Sequence, residues 1–449
     1  MDSVPFDRAA MLARLADESF DVLVVGGGIT GVGVALDAAA RGLRTALVEK
    51  DDFASGTSSK SSKMVHGGLR YLQQREIGLV YEALYERQRL RHNAPHLVRT
   101  LPFMIPILTR DGVLNPKIAR VLGTSLWMYD LTGGWRIGKL HERLTKDEAL
   151  THMPTMPAER LASAYLYYDA RADDARLVLA LARSAAARGA AVCNHTSVVA
   201  LTKTSSGQVS GAVVSADGST FEVRAKVVVN AAGVWSDDVR ALDEGHHPDS
   251  IRPAKGIHIT VPWAKVRNDI AVVIPVPKDK RSLFVVPWGE LTYVGTTDTD
   301  YDGPLDDPQC TADDVAYVLK ALNFSVTTGV TEHDVLGTWA GLRPLVKKAS
   351  SGRTADLSRR HHVTTSGSHL VTVTGGKLTT YRKMAADAVD EACQLLGAKA
   401  RSSTRRLVLA GGEGIEPDRH ATEIDHLTGR YGADAPHVQA LASARPELG

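Results

Sequence analysis

Side chains able to grip a small anion recur beside glycine and proline turns: His66-Gly67-Gly68-Leu69-Arg70-Tyr71, Gly341-Leu342-Arg343-Pro344-Leu345, Ser358-Arg359-Arg360 and Gly376-Lys377. An arginine flanked by leucine and proline is not placed like a solvated surface charge, and burying it demands an anionic partner. Its guanidinium is a planar fork suited to phosphate or carboxylate, whereas lysine acts as a point charge. If these stretches converge, the ligand they describe is small and strongly anionic, most simply a phosphate ester. The alternative for each is an internal salt bridge. His66 is the best general base, because an imidazole can be neutral near physiological pH and a cationic neighbourhood holds it so. The alternative is a structural histidine that satisfies backbone groups of the glycine loop.

Such side chains need a scaffold, and one is legible between Phe20 and Lys50. Val22, Leu23, Val24 and Val25 form an apolar run that ends at Gly26, the pattern of a strand buried on both faces in a parallel sheet. Gly26, Gly28 and Gly31 have G-x-G-x-x-G spacing: one glycine for the turn, one so that backbone can approach a pyrophosphate, one for close helix–strand packing. A helix from about Ile29 to Arg41, with Thr30 in its first turn, aims its N–H groups and dipole at the phosphates. The next strand, Thr45 to Val48, ends in Glu49, at about the 20-residue offset where an acid accepts hydrogen bonds from ribose hydroxyls. A carboxylate there repels a 2′-phosphate, so the expected ligand is FAD or NAD rather than NADP; the alternative is a glycine-rich corner that binds nothing.

Further small-residue turns extend this site. The polar loop Gly56 to Lys63, with Thr57, Ser58 and Ser59, and the pair Gly67-Gly68 offer hydroxyls and close backbone approach to phosphates, or else form a flexible linker. A buried strand, Val227 to Val229, ends in Asn230-Ala231-Ala232-Gly233, preceded by a hairpin region that contains Val198; Val198, Ala232 and Gly233 are expected against the cofactor. The strand Leu370 to Thr374, followed by Gly375-Gly376-Lys377-Leu378-Thr379 at the head of an alanine-rich helix, makes another anion or carbonyl site.

The chain of 449 residues is long for one compact core and suggests about two or three domains. With 53 basic against 51 acidic residues the net charge is +2, which argues against a nucleic-acid partner. The cysteines Cys193, Cys310 and Cys393 are far apart and odd in number, which suggests a reducing compartment and a buried, inert thiol at each. The N-terminus lacks the pattern of a secretion signal and reads as a short amphipathic helix, and no apolar run is long enough to span a bilayer. Helical periodicity marks Ile77 to Asn93 and Asp173 to Arg188, and Pro95, Pro102 and Pro106 break the chain between them into extended pieces. Residues 107 to 165 read as short helices and turns. Within them the basic, aromatic segment Lys117 to Leu140 either packs on its own domain or lies on an anionic bilayer surface. Residues 251 to 335 alternate apolar and polar, as in an antiparallel sheet that roofs the cofactor. Asp298, Asp300, Asp302 and Gly303 imitate a calcium loop, but Gln309 stands where a bidentate Glu is needed, so no metal is expected.

Together, the GGGITGVGVALDAAARGL turn and helix, the SSK-x-x-HGGLRYL stretch, DDARLVLA, NAAGVW, KGIHI, GTTDTDY, GLRPL and GGKLTTYRKMA resemble FAD-dependent glycerol-3-phosphate dehydrogenase from about Asp21 to Gly412. The resemblance implies an α/β fold of the D-amino-acid-oxidase type. A Rossmann-like FAD-binding domain is expected over 15–90, 166–250 and 336–398, an inserted antiparallel-sheet substrate or cap domain over 91–165 and 251–335, and the start of a helical C-terminal segment over 399–449. It further implies oxidation of sn-glycerol 3-phosphate to dihydroxyacetone phosphate, with the C2 hydride passing to flavin N5 and electrons going on to a quinone. The protein would be cytoplasmic and peripheral on the inner face of the cytoplasmic membrane.

By the same resemblance Arg70, Tyr71 and Lys377 line the substrate site, Arg343 stands beside the reacting carbon and Arg359 binds phosphate, while Thr57, Ser58, Ser59, Leu378 and Thr379 contact the flavin. His66, Arg343 and Lys377 are the expected catalytic residues. The family carries a fuller helical C-terminal domain than the roughly fifty residues of the segment 399–449, so this sequence reads as a fragment and a homodimer is left open. Rival readings are an amine or amino-acid oxidase on the same scaffold, a non-catalytic FAD-binding subunit, and a tRNA-modifying flavoprotein, against which the near-neutral charge weighs.

Overall fold

A computed structural model describes residues 6–69, 76–108, 116–279, 281–347, 360–417, 426–445 and 447. Its first sheet is built on Ser19–Val25, in which Phe20, Val22, Leu23 and Val24 are wholly buried. That strand pairs in parallel with Thr45–Val48 on one side and Ser219–Asn230 on the other; Leu370–Gly375 extends the sheet beyond Ser219–Asn230, and Ala191–Cys193 beyond Thr45–Val48. Helices Ile29–Ala40, Asp174–Ala186 and Tyr381–Leu396 pack with it. Their alanine-rich faces let them approach closely: a Cβ on Gly33 would lie 2.7 Å from the Tyr381 ring.

Ser219–Asn230 is one continuous strand, where a separate hairpin arm and buried strand were expected. Its first half pairs antiparallel with Val209–Ala216 and alternates between exposed and buried, while its last four residues are all buried in the parallel sheet. A single strand that passes from a sheet margin into the core reads as two periodicities.

The second sheet has ten strands, and most of its pairs are antiparallel. Val98–Leu108 and Leu161–Ala172 pair along nearly their whole lengths, joined through Val98–Leu108 to Ala271–Pro275, Ser282–Trp288, Leu291–Gly295 and Ile251–Pro262. Val98–Leu108 contains Pro102 and Pro106 without breaking, contrary to the expectation of separate extended pieces. On its other side the strand pairs only through Phe103 and Met104, so the missing proline N–H groups leave that ladder intact. Gly337–Val346 pairs with Ile251–Pro262 throughout, so these residues join the second sheet although the expected boundary at 336 placed them with the first. The segment expected to hold only short helices contains the 17-residue helix Pro116–Thr132. Beyond 400 the described chain carries a short helical turn at Thr404–Arg406 and then the helical run His426–Tyr431, Gly432–Asp434 and Ala435–Ala444, as expected of a helical segment. Cys193 and Cys393 are buried, but Cys310 is half-buried.

Candidate active site

The ends of the parallel strands meet at the glycine turn. Gly26 has φ +110°, and a Cβ there would stand 2.7 Å from the Ala231 carbonyl oxygen, so only glycine lets the two strand ends approach. Gly31 answers the packing need: its Cβ would fall 1.8 Å from the Gly26 oxygen. Gly28 caps the helix Ile29–Ala40 without a side chain, and Ser58 supplies one from another segment, its Oγ accepting from the Ile29 N–H at 2.9 Å. Glu49 accepts from the Gly27 and Asp51 N–H groups at 2.6 and 2.9 Å. Burial pushes its pKa up, against the lowering effect of those two bonds. The Asn230 side chain pins the second turn, donating to the Ser236 carbonyl at 2.8 Å and accepting from the Ala232 N–H at 3.2 Å.

The segment 56–63 is no linker. Thr57 Oγ1 donates to the Leu342 carbonyl at 2.5 Å, the Ser61 carbonyl accepts from Trp339 Nε1 at 3.2 Å and the Ser62 carbonyl accepts from Tyr293 Oη at 2.9 Å. Lys63 Nζ meets buried Asp174 at 2.6 Å. The loop is therefore held from the second sheet and, through Asp174, from the helix Asp174–Ala186.

Between the sheets lies a cavity of about 1150 Å³. Its wall includes Gly26, Gly28, Ile29, Thr30, Glu49, Thr57, Ser58, Val198, Ala232 and Gly233, and also His66, Gly68, Arg343, Gly376, Lys377, Leu378 and Thr379. Gly31, Ser59 and Gly67, expected as cofactor contacts, do not line it. Gly31 is spent on helix–strand packing, and a Cβ on Gly67 would point at Leu84 and Tyr129, away from the cavity wall. Arg70, Tyr71 and Arg359 lie outside the described residues. Arg360 is at the surface, paired with Glu76 at 2.7 Å. A long ligand with a pyrophosphate fits this cradle: the helix start at Ile29 and Thr30, positive-φ glycines at Gly375 and Gly376, and the hydroxyl-bearing Thr57 and Ser58 all line one space.

On the reacting side, the His66 N–H donates to Thr379 Oγ1 at 3.2 Å, which ties the histidine-bearing loop to the turn that carries Lys377. Arg343 has the internal partner that the sequence left as its alternative: Asp298 at 3.0 Å, with Thr296 Oγ1 and the Thr297 carbonyl each accepting at 3.1 Å. It nonetheless lines the cavity, so its guanidinium is oriented rather than withdrawn. Sequence reasoning missed His258, a wall residue from KGIHI. Burial, then Arg343 and Lys63, pulls its pKa down to about 3, so the ring is neutral; it stacks on Trp339 at 4.7 Å and meets Ser62 Oγ at 2.8 Å. Lys60, Arg281 and Asp169 also line the cavity and carry no motif that would have singled them out. Several cations around one cavity beside a histidine can hold an anionic alcohol and take up its proton.

The profile of the FAD dependent oxidoreductase family matches residues 21–382. Glycerol-3-phosphate dehydrogenase 2 of Mycobacterium tuberculosis is 42% identical over 459 aligned positions, which span 99% of this chain and 77% of that protein. The mitochondrial glycerol-3-phosphate dehydrogenase of Homo sapiens is 38% identical and covers 98% of this chain, which spans 63% of it. The X-ray structure of the glycerol-3-phosphate dehydrogenase from Bacillus halodurans complexed with FAD superposes with a TM-score of 0.78 at 31% identity, covering 98% of this chain and 81% of that one. Glycine oxidase from Geobacillus kaustophilus shares the fold, with a TM-score of 0.60 at 22% identity.

Proposed function

This chain belongs to the FAD dependent oxidoreductase family and, within it, to the glycerol-3-phosphate dehydrogenases, and from that premise we infer how its own residues perform the reaction. The protein is an FAD enzyme that oxidises sn-glycerol 3-phosphate to dihydroxyacetone phosphate. The observation that carries the site assignment is that His66, Arg343 and Lys377, remote in sequence, face one cavity with the glycine cradle. Bound FAD supplies the acceptor for the two electrons and the hydrogen leaving C2. An imidazole nitrogen of His66 takes the C2 hydroxyl proton. Arg343, held in orientation by Asp298, and Lys377 stabilise the oxygen that becomes the ketone and steady the phosphate. The glycine turns exclude side chains from the ligand's path, and the flanking sheets exclude water.

A quinone is the proposed final acceptor, and a membrane surface is where it would be met. No described helix is long and apolar enough to cross a membrane. Support for surface attachment comes from one aromatic patch: Trp127, Leu131 and Trp135 are 56%, 76% and 55% exposed. Arg136 lies over the rings of Tyr81, Tyr85 and Trp135. Aromatic and basic side chains in this arrangement suit a lipid headgroup layer. The reaction is tested by the visible spectrum of the purified protein before and after anaerobic glycerol 3-phosphate. Bleaching of the flavin band is expected; bleaching by amino acids instead would assign an oxidase of that class.

A further inference from the structure

The helix Ile77–Asn93 carries two adjacent charged residues that are almost wholly buried, Glu86 and Arg87. Neighbours on a helix point about 100° apart, so their partners lie in different directions. Arg87 Nη1 donates to Asp169 Oδ1 at 2.6 Å and to the Tyr168 carbonyl at 3.1 Å. Asp169 in turn accepts from Tyr129 Oη at 2.7 and 2.8 Å. Tyr129 Oη and Asp169 Oδ1 both accept from the Gly67 N–H, at 3.1 and 3.3 Å. Arg87 therefore acts on the residue that follows His66. Glu86 meets Arg382 with two bonds of 2.7 Å, Arg382 Nε and Nη2 donating to separate carboxylate oxygens. Arg382 lies in the first turn of the helix Tyr381–Leu396, which follows the Lys377 turn, and Thr379 in that turn bonds back to His66 through its hydroxyl.

We propose that Glu86 and Arg87 form a positioning clamp. Through two buried ion pairs that diverge from one helix, they brace the His66 loop and the Lys377 turn against each other at the cavity wall, with Tyr129 and Asp169 as the arm that sets the reach of His66. Stability alone is a poor reason for the arrangement, because a buried ion pair can often be exchanged for apolar residues without loss. Precise placement is a better one: proton transfer needs the base within hydrogen-bond reach of the hydroxyl, and a displacement of about 1 Å can cost about a hundredfold in rate. Glu86, Arg87, Tyr129 and Asp169 are thus positioning residues acting through His66, and the proposal rests on the reading of His66 as proton acceptor.

The test uses the holoenzyme. Tyr129→Phe keeps the ring and removes the hydroxyl that links Gly67 to Asp169; Asp169→Asn is the harsher companion. In anaerobic stopped flow with glycerol 3-phosphate, Tyr129→Phe is expected to lower the limiting rate of flavin reduction by about tenfold. Substrate affinity and FAD content should stay at wild-type levels. In a His66→Asn background the same substitution should cost nothing further, since its effect passes through the missing imidazole. An equal loss in both backgrounds, or no loss in either, overturns the clamp. If wild-type flavin is not bleached by glycerol 3-phosphate, the substrate reading fails and amide hydrogen exchange decides the clamp separately. Exchange at Gly67 accelerated about tenfold or more by Tyr129→Phe supports it, and unchanged exchange overturns it.

Discussion

At the scale of single residues, the site divides into groups that meet the ligand and groups that hold those groups still. His66→Asn removes the proposed base while keeping a polar side chain, and flavin reduction in single-turnover experiments should fall by orders of magnitude with little change in substrate affinity. Arg343→Lys keeps the charge but loses the planar fork that Asp298 and the Thr297 carbonyl orient. Its limiting rate should drop more than its affinity, which a substrate titration of the flavin spectrum would reveal. Two buried histidines give a pH signature of their own. Burial, with Arg176 next in weight, holds the His96 pKa down at about 4, and burial with Arg343 holds that of His258 down at about 3, against an ordinary 6.5. Both rings are neutral when folded, whereas an unfolded chain takes up the protons below 6.5. Their contribution is therefore complete above that pH and is lost as pH falls towards 4 and then 3. The slope cannot exceed about 1.4 kcal/mol per pH unit for each ring. Denaturant melts of the holoenzyme across this range should show the decline, and His96→Gln should flatten it.

At the scale of elements, the decisive contacts join pieces far apart in the chain. The helix Ile29–Ala40 can sit close to its sheet only because residue 31 lacks a side chain. Gly31→Ala would place a methyl 1.8 Å from the Gly26 carbonyl oxygen. The helix must then shift, at a cost of about 1–3 kcal/mol for overpacking, and the phosphate cradle shifts with it. Purified Gly31→Ala should show a lower ratio of flavin to protein absorbance and a reduced melting temperature. The loop 56–63 makes the complementary point, since its hydroxyls and carbonyls are taken by Leu342, Trp339 and Tyr293 of the second sheet. A run of serines and lysines has no periodicity of its own, so its fixed conformation comes from these partners together with Asp174 and the Ile29 N–H.

At the scale of the whole molecule, the first sheet supplies the cradle, the second supplies the roof and much of the charge, and the exposed patch around Trp127 and Leu131 lies on the helix Pro116–Thr132. That helix buries Leu126 and Tyr129 and exposes Trp127, Met128 and Leu131, so it is apolar on both sides. Replacing Trp127 and Leu131 with serine should weaken sedimentation with vesicles of mixed phosphatidylglycerol and phosphatidylcholine by about tenfold or more, given a few kcal/mol for burying such side chains. Activity with a soluble dye as acceptor should be retained. Equal binding by the variant would remove the patch from the membrane contact.

The glycine fingerprint and the succession of strand, turn, helix, strand and acid around it were readable because each depends on local chemistry: a turn that only glycine can make, an apolar run that only a buried strand can use, an acid at a fixed offset. The resemblance pointed to Arg343 and Lys377, and the chemistry of imidazole to His66; all three line the cavity. What tertiary structure alone decided is which of these charges line the cavity. Arg343 turns out to be braced by Asp298, Arg360 goes to the surface with Glu76, and His258, Asp169 and the Glu86–Arg87 pair enter the site or its support without any local mark. The partner of a buried charge is set by which strands and helices pack together, and that pairing is a property of the assembled fold, invisible to any window along the chain.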